Sequence, residues 1–66
     1  MKTYDEIKQK AYRLFYQSYK INNERIAEKW QSKADLLLSF VLEMDQKEVE
    51  KIADAAYTEY EKGERA

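Results

Sequence analysis

Cysteine, histidine and proline are all missing from the 66 residues of this chain, and glycine occurs once, as Gly63. Each absence closes off chemistry. Without cysteine there is no disulfide framework, no thiolate nucleophile and no cysteine-ligated zinc. Without histidine there is no serine–histidine triad, no imidazole base and no paired-histidine metal helix. With no proline and one glycine, the tight turns that β-hairpins require have no basis in the sequence, so the chain reads as all-α. An excess of one charge is missing as well: 12 Lys and Arg stand against 13 Asp and Glu, a formal net charge of −1. Duplex-binding proteins usually carry a clear cationic excess, so this balance argues against nucleic acid as the main partner.

Long apolar runs are scarce too. The longest, Leu36 to Leu42, is interrupted by Ser39 and falls far short of the roughly 20 residues needed to span a bilayer. The charged start, Met1 to Glu6, leads into no apolar h-region, so it does not read as a signal peptide. A soluble cytoplasmic protein without a membrane partner is the expectation. A chain of 8.0 kDa buries only about 60% of its unfolded surface on folding. Lacking disulfides and the usual metal ligands, such a chain has oligomerisation as its main further source of stability.

What is present divides the 66 residues into a single helical domain of three helices. Thr3 with Glu6 forms a capping box and predicts a helix over about 4–20. Asn22 and Asn23 break it, and a second helix is expected over 24–44. Asp45 with Glu48 repeats the cap signature and opens a third over 46–62, after which Gly63 is expected in a left-handed C′ position. With neither glycine nor proline at Asp45, the sequence leaves open whether helices 2 and 3 are separate or continuous. The expected architecture is a three-helix bundle, or a helical hairpin plus a third helix, with helix 2 central.

The faces sharpen this. At 100° per residue, Tyr4, Ile7, Ala11, Leu14, Phe15, Ser18 and Ile21 of helix 1 share an arc of roughly 120°, and Tyr12, Tyr16 and Tyr19 continue it for about another 100°. Tyrosine suits such a half-wet border, because its ring can be buried while its hydroxyl stays hydrated. In helix 3, Val49, Ile52, Ala53, Ala56, Tyr57 and Tyr60 occupy one arc. In helix 2, Ile26, Ala27, Trp30, Ala34, Leu37, Leu38, Val41 and Met44 form a core stripe, while Leu36, Phe40 and Leu42 fall outside it. A helix apolar nearly all round needs cover on every side. Two neighbours cannot supply it, and a second copy of the chain is the simplest cover, since two-fold homodimers are the commonest assembly. Another protein is the alternative occupant.

Charge is segregated along the chain. Residues 1–22 carry five basic and two acidic side chains, a net of +3; residues 23–44 carry a net of −1, and residues 45–66 a net of −3. Arg25, Lys29 and Lys33 recur every four residues and point in nearly the direction that Leu36 and Phe40 take further on. Glu50, Asp54 and Glu61 form an acidic line on helix 3.

The residues left for chemistry are carboxylates, lysines, tyrosines and five hydroxyls. The carboxylate pairs Glu24/Glu28 and Glu50/Asp54 point away from the apolar stripes, which makes them solvated faces rather than metal ligands. Glu61 and Glu64 fit E-x-x-E spacing but sit at a helix terminus. No glycine-rich phosphate loop exists. The expectation is therefore a non-enzyme with no catalytic residues, cofactor or metal: a small homodimeric protein–protein interaction module, of the kind that inhibits or regulates another protein. Its interface would comprise Leu36, Phe40 and Leu42 with Arg25, Lys29 and Lys33, and its secondary contact strip Tyr12, Tyr16 and Tyr19. The alternative is a nucleic-acid-binding accessory role, in which Lys8, Arg13 and Lys20 of helix 1 flank tyrosines on which bases could stack.

Overall fold

The computed structural model describes residues 3–65, with side chains over 3–63. Met1 and Lys2 of the charged start lie outside the described residues, as does the Glu64 side chain of the E-x-x-E pair. The described residues form helices and no strand, in the order α1 (Tyr4–Lys20), α2 (Glu24–Leu36), a single π-helical segment (Leu37–Val41) and α3 (Gln46–Arg65).

Side chains cap all three α-helices at their starts. The Glu6 amide donates to Thr3 Oγ1 at 3.3 Å, and the Arg25 and Ile26 amides donate to Asn23 Oδ1 at 3.0 and 3.2 Å. The Glu48 amide donates to Asp45 Oδ1 at 3.0 Å. Each cap satisfies amides that have no partner within the helix.

The second helix does not continue to Met44. From Leu37 the backbone winds more widely: the Leu42 amide donates to the Leu37 carbonyl at 3.1 Å and the Met44 amide to the Leu38 carbonyl at 3.0 Å. Ser39 Oγ donates to the Asp35 carbonyl at 2.7 Å, a local bond that competes with the helical ladder and bends it. Glu43 then takes φ 55, a left-handed conformation that stops a helix of L-residues. Helices 2 and 3 are therefore separate, and a glutamate supplies the break where glycine would be usual. At the other end, α3 passes through Gly63 to Arg65; no glycine has positive φ among the described residues, so Gly63 is not a left-handed cap.

Both other helices pack along α1, whereas α3 meets the second helix chiefly through the Leu37–Val41 segment. Helix 1 is central, not helix 2. The reason is visible in its faces. Ser18 turns to one side, where Gln31 Nε2 of α2 donates to Ser18 Oγ at 3.2 Å, and Ser18 Oγ donates to the Phe15 carbonyl at 2.6 Å. Tyr16 and Tyr19 turn to the other side, toward α3: Tyr19 Oη donates to the Ala53 carbonyl at 3.2 Å. An apolar arc as broad as that of α1 is wide enough to serve two neighbours at once.

The core is small. Its buried apolar residues are Ala11, Phe15, Ala34, Leu38, Val49 and Ala56, half of them alanines that let helices approach but contribute little buried area. Tyr12, Leu14, Leu37, Leu42, Met44, Ile52 and Ala53 pack around them. Several residues expected inside are exposed instead: Tyr4 at 52%, Ile26 at 44%, Val41 at 52% and Tyr57 at 47%. For Val41 the cause is the wide π turn. Pairing at i→i−5 takes more residues per turn, so Val41 lags behind the core stripe on which a straight α-helix would place it.

Candidate interaction surface

The winding that turns Val41 outward gathers an apolar tip. Leu36 is 60% exposed, Phe40 78% and Val41 52%, all at the end of the second helix. Single exposed apolar residues are ordinary, whereas here three lie within one short stretch of chain. Leu42, expected beside Leu36 and Phe40, is instead half-buried against the core. Val41 takes its place, a substitution that regular helical spacing could not reveal.

Charge frames the tip on both sides. Arg25, Lys29 and Lys33 are all exposed on α2 before it, and Glu43 and Asp45 are exposed after it. The exposed carboxylates Glu24 and Glu28 share α2 with these cations, and the exposed Lys47 follows Asp45. The Lys33 stem is long enough to lie over apolar neighbours while its ammonium group stays in water.

The tyrosines expected as a second contact strip are largely engaged within the chain. Tyr16 meets Tyr60 edge-on with centroids 6.2 Å apart, and Tyr19 meets Tyr57 edge-on at 5.1 Å. Tyr60 also lies 6.0 Å from Tyr19, and the Lys20 ammonium sits 4.8 Å from the Tyr16 centroid. Edge-to-face pairs of this kind each contribute about 0.5–1.5 kcal/mol beyond their buried area, and they hold α1 to α3. Burial pushes the Tyr19 hydroxyl above the ordinary tyrosine pKa of 10.0, with the nearby Asp54 carboxylate and Tyr57 adding to the rise. Tyr12 is set apart from this cluster. It lines an open groove of about 860 Å³ between α1 and α3, with Lys8, Arg13, Glu48, Lys51 and Ile52 among its walls.

Among the described residues no group of three or more carboxylates is placed to hold a metal ion, and no helix is long and apolar enough to cross a membrane. No protein family, curated protein or solved structure matches the chain.

Proposed function

We propose that this protein is a non-catalytic interaction module that associates with a second copy of itself through the tip formed by Leu36, Phe40 and Val41, bordered by Arg25, Lys29 and Lys33. The observation that carries the reading is the exposure of Phe40, at 78%. Burying a phenylalanine is worth about 1.5–3 kcal/mol, yet this chain leaves its largest apolar tip residue in water while filling half of its core with alanine. A second copy offers the same apolar tip in return, as a two-fold interface requires.

Regulation or inhibition of another protein would then use the surface that self-association leaves open. The α1–α3 groove beside Tyr12 fits that role better than Tyr16 and Tyr19, whose rings are occupied by Tyr57 and Tyr60. The same occupation weighs against single-strand nucleic acid, which needs ring faces free for stacking.

Sedimentation equilibrium tests the central reading. The wild-type chain should self-associate at tens-of-micromolar concentration, and Phe40→Asp, which places a carboxylate at an exposed position without touching the core, should be monomeric and folded. A wild-type monomer over that range refutes it.

A further inference from the structure

We propose that the end of the second helix is a register switch: residues 37–44 convert between the wide winding of the structure, with Leu42 inside and Val41 outside, and regular α-winding, with Val41 inside and Leu42 outside. Two adjacent apolar side chains compete for one place on the core. In the structure Leu42 packs against the core, and Val41 is 52% exposed. At 100° per residue the assignment reverses, because Val41 then lies on the stripe of Ala34, Leu37 and Leu38. Met44, half-buried against the same core, falls on that stripe as well. The chain therefore leaves the core from the same residue in both forms.

Opposing features hold the balance. The wide winding is defined by the Leu42 amide on the Leu37 carbonyl at 3.1 Å and the Met44 amide on the Leu38 carbonyl at 3.0 Å. Ser39 Oγ donates to the Asp35 carbonyl at 2.7 Å, the carbonyl that regular α-winding assigns to the Ser39 amide. Leucine also fills the contested place more fully than valine. Against these stands Glu43 at φ 55, a strained torsion angle that regular winding removes. A packed core accepts one side chain or the other and little between, so the exchange has two states.

The consequence lies at the surface. Leu36 and Phe40 are outside in both forms, and their third apolar neighbour is Val41 in one and Leu42 in the other. A ligand that binds one form better draws the population toward it.

A double-mutant cycle in the Phe40→Asp background tests this by denaturant unfolding, independently of self-association. Val41→Ala, at an exposed position, should change the folding equilibrium constant by no more than about twofold. Leu42→Ala should lower it modestly, because Val41 takes the vacated place. The pair V41A/L42A has no larger side chain left for that place, and should lower the constant by at least about threefold more than the product of the singles. A chain with one winding gives the plain product instead. Backbone chemical shifts at Glu43 read the winding itself: Leu42→Ala and Ser39→Ala should move them toward right-handed helical values, and Glu43→Gly should hold the wide form. A multiplicative cycle, or Glu43 shifts that stay left-handed in both Leu42→Ala and Ser39→Ala, overturns the switch. If Leu42→Ala does not fold, Ser39→Ala, which leaves the core side chains intact, decides alone by the same shifts.

Discussion

The left-handed glutamate at the end of the second helix allows a stability effect to be worked from one torsion angle. Glu43 has φ 55, where an L-residue crowds its Cβ against the neighbouring carbonyl at a cost of roughly 1–2 kcal/mol. Glycine carries no Cβ and escapes that cost. It also loses more freedom on folding, about 0.5–1 kcal/mol relative to alanine, so Glu43→Gly should stabilise the folded monomer by about 0.5–1 kcal/mol. In a domain of this size a change of 1 kcal/mol moves Tm by roughly 4–8 °C, which predicts a rise of about 2–8 °C. The measurement belongs in the Phe40→Asp background, because association with a second copy would otherwise make Tm depend on concentration. Differential scanning calorimetry at two concentrations supplies both the value and that control. Glu43→Val, which puts a β-branched side chain at the same torsion angle, should move Tm in the opposite direction. A Glu43→Gly variant that melts below its parent would refute the assignment of strain to this residue.

Other consequences are nearer to hand. Leu38, 0% exposed and the largest fully buried side chain among the described residues, belongs to the core cluster with Phe15 and Val49; Leu38→Ala should cost about 2–5 kcal/mol and leave the chain largely unfolded by circular dichroism at 25 °C. Asn23→Ala removes the acceptor for two α2 amides and should cost about 1 kcal/mol in denaturant unfolding. The raised pKa of Tyr19 means that folding favours its neutral hydroxyl. Its contribution is complete below the ordinary value of 10.0 and is lost as pH rises through the higher folded value. Tyr19→Phe should therefore flatten the alkaline arm of the stability profile, and an unchanged arm would show that another group governs it. Fluorescence anisotropy with labelled single-stranded DNA should show no salt-sensitive binding; such binding would revive the nucleic-acid reading.

How much of this could be read from the residues depends on the kind of signal. Caps are local chemistry, so Thr3, Asn23 and Asp45 announce three helix starts. The mutual packing of the helices was not local. The breadth of the apolar and tyrosine arc on helix 1 already contained the signal that two helices would pack on it. The near-continuous apolar run at the end of helix 2 pointed instead to that helix as the centre. The two patterns differ in how they end. The run in helix 2 closes in a wide turn and a left-handed residue, so part of it stays exposed; the arc of helix 1 is sustained over the whole of Tyr4–Lys20.

The tip itself was half legible, for a related reason. Leu36 and Phe40 lie off the core stripe under any regular winding, and the structure exposes both. Val41 and Leu42 exchange roles because the winding changes between Leu37 and Val41. The sequence does hold a cause for that change, in Ser39 and its bond to the Asp35 carbonyl, but a serine within a helix more often leaves the ladder intact. Regular winding would have kept Val41 on the core stripe and left Leu42 outside. The π turn thus exchanges the two, turning Val41 to the outer surface and Leu42 toward the core. Such turns recur at functional sites, and here the turn, the exposed phenylalanine and the strained glutamate fall within seven residues, Leu37 to Glu43. The exposed phenylalanine and the strained glutamate both depart from the most stable monomer, and they have a common explanation if that stretch is completed by a second copy of the chain.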